Sequence, residues 1–178
     1  MKLKKIAARC KDRAALLLWD VVDKTGTVTQ WVSNGAAAWP LYGLPIFRTD
    51  ELARIFDIPD KQCADMRIEA CSPPASLNFS DSAEELIAVE EPLRIVRNGD
   101  TLIPLAADGR IWLIDSALAE PIMTDGVEFY LRRGAGETLG VPYFAAKAGL
   151  VTVALIMPYN TGPQLKADLA MLAEHLSG

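Results

Sequence analysis

The chain has 178 residues, of which 51% are hydrophobic, 23% charged and 7% aromatic, and its formal net charge is −5. This composition excludes an intrinsically disordered chain, a collagen-like repeat and a disulfide scaffold. Its longest apolar stretches, such as residues 14–19, are far shorter than the roughly 18 residues of a membrane-spanning helix. The basic and apolar start lacks a small-residue cleavage site, so we expect no signal peptide and a soluble, cytoplasmic protein.

A short amphipathic helix is predicted over residues 2–14, because apolar residues recur there at three- and four-residue spacing. Residues 1–13 contain six basic residues and one acid, a net charge of +5, whereas the remainder of the chain carries −10. This asymmetry indicates either an electropositive contact site or a solvated basic terminus. The basic residues that share one side of the helix are Lys2, Lys5, Arg9 and Arg13.

Three short strands and a second helix are expected next. Residues 15–22 and 27–32 have the composition of strands with a favourable turn between them, and an Asn-Gly turn leads into residues 36–39. Thr49, followed by two acids, is typical of a helix start, and this helix should end near Asp57.

Large aromatic side chains in strand-like runs normally fill a core rather than stack on bases. The tryptophans expected to do so are Trp19, Trp31, Trp39 and Trp112.

Residues 72–92 hold five acids and no lysine or arginine, which is typical of a long surface connection. We expect one domain over residues 1–159, or two halves, 1–71 and 93–159, joined by this acidic connector. General acid–base chemistry needs carboxyl groups held in a pocket, so the acids of the connector are interpreted as solvating charges. They are Asp81, Glu84, Glu85, Glu90 and Glu91.

The second half of the chain is dense in turn sequences. Three β-type runs are expected between residues 93 and 114, then a short helix at about 115–123. Later strands are expected over residues 127–131, 141–144 and 150–157. Residues 160–178 are predicted to form a C-terminal amphipathic helix that docks or self-associates through one apolar stripe. The stripe consists of Leu165, Leu169, Leu172 and Leu176. Together these elements predict an α+β protein with a mainly antiparallel sheet.

No enzyme site is predicted. Residues 134–140 imitate a dinucleotide-binding loop, but the last glycine is one residue late and a strand follows where a helix is required. The lone histidine, His175, lies in the predicted terminal helix. The cysteines fit no metal pattern, so we expect no metal and no cofactor. They are Cys10, Cys63 and Cys71, expected to be reduced and inert.

One region resembles a known family. Residues 111–122 (IWLIDSALAEPI) resemble the strand-to-helix transition in the last repeat of bacterial DNA sliding clamps. Residues 127–131 and 154–158 (ALIMP) are similar to the closing strands of those clamps, particularly in the hydrophobic-Met-Pro ending. This resemblance covers residues 93–159. The whole chain is also similar to proteins carried by prophages and mobile elements of gut bacteria.

The resemblance implies a clamp-like fold with short helices on one face of the sheet, where basic side chains contact DNA phosphates without reading bases. It also implies an apolar pocket, beside the Met-Pro strand, that captures short peptides. The DNA-backbone candidates are then Lys2, Lys5, Arg9 and Arg13. The partner-pocket candidates are Ile156, Met157 and Pro158.

We therefore expect a non-enzymatic clamp-like protein for protein–protein association, sequence-independent DNA association, or both, in mobile-element replication or maintenance. The alternative is an assembly or adaptor module that makes no nucleic-acid contact. Such a module would self-associate through the C-terminal helix.

Overall fold

The computed structural model describes residues 2–124, 126–134 and 140–162, together with Leu165, Ala167, Leu169 and Met171. The chain is an α+β protein in which a few short helices accompany one large, mostly antiparallel sheet, as predicted. None of the helices in these residues is long and apolar enough to cross a bilayer.

The elements closely follow the predicted order. The helices are α1 (Leu3–Asp12), α2 (Thr49–Ile55), α3 (Asp60–Cys63) and α4 (Ser116–Ala119). The strands are β1 (Ala15–Val22), β2 (Val28–Ser33), β3 (Ala37–Pro40), β4 (Arg67–Ala70), β5 (Leu86–Glu90), β6 (Ile95–Arg97), β7 (Asp100–Ala107), β8 (Arg110–Asp115), β9 (Val127–Arg133), β10 (Pro142–Ala148) and β11 (Val151–Ile156). Strands β4 and β5 and helix α3 were not predicted, and α4 is shorter than the predicted helix at 115–123.

The strands are hydrogen-bonded in the order β4-β1-β2-β3-β11-β10-β9-β5-β7-β6, and β8 pairs with β7. Neighbouring strands are antiparallel except β1 and β4, which are parallel. Two units of the same element order meet within this sheet. The amino-terminal unit runs α1-β1-β2-β3, the carboxy-terminal unit runs α4-β9-β10-β11, and their last strands pair at Leu155↔Ala38 and Ile156↔Ala37.

Helices α1, α2 and α4 bury their apolar sides in one core against one face of the sheet. Ile6, Leu52 and Leu118 from the three helices belong to the same buried cluster as Trp39 and Phe144 from the strands. We call this side of the sheet the helical face. Because side chains alternate along a strand, neighbouring residues of the same strands point to the opposite side.

A second core lies on the opposite side of the sheet. A segment without regular secondary structure covers this core. Leu17, Trp19 and Trp31 are buried there with Tyr143 of β10. Residues 77–85, here called the strap, cover them with the side chains of Leu77 and Phe79. The prediction that the tryptophans fill a core is confirmed: Trp19, Trp31 and Trp39 are buried, and Trp112 is partly buried against the helical core.

The end of the described chain packs on the sheet near β7 and β8. Tyr159 donates its backbone N–H to the carbonyl oxygen of Leu113 at 2.6 Å. Leu169 is buried with Leu102 and Leu113, and Leu165 is packed against that cluster. These two leucines of the predicted stripe therefore contact their own domain. Leu172, Leu176 and His175 lie outside the described residues.

Candidate functional site

The predicted DNA-backbone residues lie on α1 or directly next to its ends, beside helix α4, which is flanked by the acids Asp115 and Glu120. Three of the four form ion pairs, while Lys2 is exposed. The pairs are Lys5–Glu120, Arg9–Asp12 (3.2 Å) and Arg13–Asp115 (4.0 Å). The hydrogen bond from Lys5 lowers the pKa of Glu120, as expected for a carboxylate beside an ammonium group. The acids of neighbouring segments thus offset part of the positive charge of α1.

The predicted partner-pocket residues do not form one open surface. Ile156 is fully buried in the helical core, so its side chain is not available to a ligand. Met157 is partly buried against the second core, and its backbone N–H donates to the carbonyl oxygen of Ala36 at 2.8 Å. Pro158 is half-buried. The end of β11 therefore serves mainly to join the two units.

A shallow groove of about 550 Å³ lies elsewhere, between α2 and the loop of residues 41–48 that precedes it. Its walls carry two large aliphatic side chains that solvent reaches freely: Ile46 is 62% exposed and Ile55 is 53% exposed. The lining residues are Pro45, Ile46, Phe47, Glu51, Arg54 and Ile55. We call this feature the α2 groove. Clustered exposed apolar side chains are typical of binding surfaces.

The loop wall of the α2 groove is held by the buried side chain of Gln30 on β2. Its Oε1 accepts a hydrogen bond from the backbone N–H of Phe47 at 2.7 Å, and its Nε2 donates to the carbonyl oxygen of Phe47 at 3.0 Å. Nε2 also donates to Oδ1 of Asp20 at 2.9 Å. Gln30 thereby satisfies both backbone groups of Phe47, as a neighbouring strand would. This wall of the groove is fixed before any partner binds.

The helix wall is fixed by the start of α2. The backbone N–H of Arg48 donates to Oε2 of Glu51 at 2.8 Å, which satisfies one of the free amides at the helix start. The Arg48 guanidinium bonds Asp50 at 3.0 Å and lowers the pKa of that carboxyl group, and Arg54 lies 3.8 Å from the same carboxylate. The groove therefore has an apolar centre and a rim of both charge signs.

The sequence did contain a signal for this groove. Residues 41–47 (LYGLPIF) form a loop by virtue of Gly43 and Pro45, yet they are largely apolar. Loops normally lie on the surface and connect elements there, so a loop rich in large apolar residues must expose some of them.

A buried charge cluster binds the strap to the sheet. The Glu85 carboxylate bridges Arg132 of β9, at 2.7 Å, and Lys147 of β10, at 2.8 Å. The side chain of Glu85 is 14% exposed and that of Arg132 is 1% exposed. The interpretation of Glu85 as a solvating charge is therefore wrong. Its carboxylate balances two cations that the sheet buries.

Cys10 and the glycine-rich hairpin have structural roles. Burial raises the pKa of the Cys10 thiol to about 12, so it stays protonated and is a poor nucleophile. A Cβ atom on Gly140 would lie 2.5 Å from Cα of Gly134, which explains the glycines at the base of the β9–β10 hairpin. Residues 135–139 lie outside the described part.

No group of three or more His, Cys, Asp or Glu residues suited to a metal occurs within the described ranges.

Of these features, the α2 groove best combines exposed apolar side chains with walls that the fold itself positions. Helix α1 adds exposed cations, and the strap adds a buried charged contact. No family model, curated protein or solved structure matches this chain.

Proposed function

We propose that this chain is a non-enzymatic binding protein of clamp-like architecture, which acts through protein–protein association at the α2 groove. The observation that carries the proposal is the joint exposure of Ile46 and Ile55 in a groove whose walls are preformed. Covering such side chains removes apolar surface from water, which drives association. The similarity to proteins of mobile elements suggests a role in the replication or maintenance of those elements.

The order of elements supports the clamp-like part of the proposal. Strand β8, helix α4 and the closing strands β9, β10 and β11 follow one another over the region that resembles a clamp repeat. The amino-terminal unit has the same order of a helix and three strands, and α1 and α4 share the helical core. The packing of Leu165 and Leu169 on the sheet supports a C-terminal helix docked on its own domain.

The expected occupant of the α2 groove is a short linear segment of a partner protein with one or two bulky apolar side chains. A second copy of this chain would need about 800 Å² of buried surface on each partner for a stable dimer. The six lining residues are far fewer than the roughly 20–30 on each side of such an interface, but a groove of about 550 Å³ suits one or two anchoring side chains. The mixed charges of Arg54 and Glu51 on the rim suit a segment with polar flanks of either sign.

Peptide selection tests this assignment. We expect peptides selected from a random phage-displayed library to share an apolar anchor, and Ile46→Asp combined with Ile55→Asp to weaken their binding at least about a hundredfold. Two aliphatic contacts worth about 1.5–3 kcal/mol each are lost, and two charges face the apolar anchor. Fluorescence anisotropy with the selected peptides measures the loss.

The matched control is Leu150→Asp, in the β10–β11 turn, where the leucine is 84% exposed outside the groove. This variant should bind the peptides as the wild type does. All of these positions are exposed, so urea unfolding should show little change in stability. Equal binding by the groove variant and the control, or a library that yields no binding peptide, would contradict the proposal.

A second candidate function is weak, sequence-independent DNA association through α1. It is favoured by the exposure of Lys4 in α1 and of Lys2 and Arg13 directly next to its two ends. Contacts of this kind are made to phosphates and weaken as salt concentration rises. The ion pairs with Asp12, Asp115 and Glu120 lead us to expect few phosphate contacts, and hence a shallow salt dependence.

The DNA hypothesis predicts that alanine at Lys2, Lys5, Arg9 and Arg13 lowers the affinity for a short duplex. The slope of log affinity against log salt should fall by about one for each phosphate contact removed. The charge-matched control replaces Lys24, Arg67, Arg94 and Arg110, which lie outside α1. Affinity that is unchanged in the α1 variant, or equally reduced in the control, would remove α1 as a DNA site.

A further inference from the structure

We infer that the strap is an internal ligand, which occupies a binding surface on the sheet and can release it by local opening. The surface beneath it is suited to a peptide segment in which a turn separates an aromatic residue from a carboxylate six residues later. The strap presents this chemistry itself, with Phe79 and Glu85. The inference concerns the side of the sheet away from the helices and does not depend on the α2 groove.

The first anchor is aromatic. The ring of Phe79 meets Trp31 edge-on, with centroids 5.0 Å apart and an interplanar angle of 70°. It meets Trp19 at 6.1 Å and 80°. The indole N–H of Trp19 is buried and has no hydrogen-bond partner within the described part of the chain. An unpaired buried donor is costly, and the carbonyl group of another segment could satisfy it.

The second anchor is electrostatic, and its cations belong to the sheet. Arg132 donates to the Glu85 carboxylate from Nε at 2.8 Å and to the Asn78 carbonyl oxygen at 2.9 Å. Lys147 donates to Glu85 at 2.8 Å and to the Asp81 carbonyl oxygen at 3.0 Å. When the strap leaves, both cations stay on the sheet. A carboxylate on an incoming segment would then replace that of Glu85.

The strap is joined to the sheet mainly through side chains. Its backbone–backbone hydrogen bonds within the described part of the chain are local: Leu77 donates to Pro74 and Ala83 donates to Ser80. The contacts that reach the sheet use the carboxylates of Glu85 and Asp81, the side chains of Leu77 and Phe79, and backbone carbonyl oxygens. The backbone N–H of Asn78 also donates to the hydroxyl oxygen of Tyr143 at 2.8 Å. A segment that lacks a ladder of backbone hydrogen bonds usually needs less free energy to open than a helix or a strand of the core does. Local release of the strap is therefore expected before the sheet unfolds.

Native-state hydrogen exchange of the intact chain tests the local opening. Strap amides should exchange through an opening that leaves the β10 and β11 amides protected. Glu85→Gln should speed strap exchange by about a hundredfold, because two buried cations lose the carboxylate that pairs with them in the described structure, and the β10 and β11 amides should still exchange more slowly than those of the strap. The matched control is Glu84→Gln at an exposed neighbouring position, which should change neither rate. Strap amides that exchange only together with the sheet, in the wild type and in Glu85→Gln, would overturn the inference.

A peptide supplied in trans tests the ligand chemistry. A labelled synthetic peptide with the sequence of residues 74–88 should bind the Glu85→Gln protein, and Phe79→Ala or Glu85→Gln within the peptide should reduce its affinity at least tenfold. Wild-type protein should bind the peptide far more weakly, because its tethered strap competes at an effective concentration in the millimolar range. Absence of binding to the Glu85→Gln protein, or equal binding of all three peptides, would overturn the assignment. Variants in the α2 groove should leave this binding unchanged, so the two sites are distinguished.

Discussion

Replacement of Glu85 by leucine is expected to lower the free energy of unfolding by about 3–5 kcal/mol, measured by urea denaturation with tryptophan fluorescence. The reason is electrostatic. Arg132 and Lys147 are both buried, and both bond the Glu85 carboxylate. Without it, two positive charges remain in a region that water hardly reaches, where an unpaired charge is strongly unfavourable.

Two comparisons separate this effect from the loss of an ordinary side chain. Glu84→Leu changes an exposed acid next to Glu85 and should alter stability by no more than about 0.5 kcal/mol. Replacing the whole cluster, by Glu85→Leu with Arg132→Leu and Lys147→Met, should recover most of the loss, since a packed apolar cluster can substitute for a buried ion pair. A single variant as stable as the wild type would show that the cations find other partners.

The elements that the sequence predicted well are those with local signals. The β1–β2 hairpin has a favourable turn, and alternating side chains place Trp19 and Trp31 on one side of it. These patterns extend over a few residues and need no knowledge of the rest of the fold. The same is true of α1, whose apolar spacing predicted its burial.

The strap contacts could not be predicted in this way. Glu85 lies 47 residues before Arg132 and 62 residues before Lys147, and nothing near any of these residues indicates the pairing. An acid-rich stretch without regular periodicity is usually solvated. That general rule failed here for Glu85, and in part for Asp81, whose carboxylate accepts a hydrogen bond from the backbone N–H of Thr152 at 2.7 Å. Strand β4 illustrates the same limit, because its parallel pairing with β1 depends on a long connection through α2 and α3.

Each candidate site likewise has features that the sequence predicted and features that depend on contacts between distant residues. The charge asymmetry of the sequence located α1 and its basic side chains, but the ion pair between Lys5 and Glu120 depends on the packing of two distant helices. The resemblance drew attention to Ile156, which the structure places in the core. The α2 groove is formed instead by a loop whose position depends on Gln30, a polar residue inside a strand. Such a buried polar side chain is difficult to recognise from a single sequence.

Replacement of Trp39 by alanine is expected to lower the free energy of unfolding by about 3–5 kcal/mol. Trp39 is fully buried in the helical core on β3, the strand through which the two units pair at Leu155↔Ala38 and Ile156↔Ala37. Removal of the indole ring would therefore leave a large cavity beside β3 and β11, where few residue pairs hold the two units together.

The indole N–H of Trp39 has no hydrogen-bond partner among the described residues, so its contribution comes from packing. Trp39→Phe should consequently cost much less, about 1–2 kcal/mol, because a phenyl ring fills most of the volume without stranding a polar partner. Urea unfolding followed by circular dichroism gives both values. Equal losses for the two variants would mean that the nitrogen, rather than the volume of the ring, provides the stabilisation.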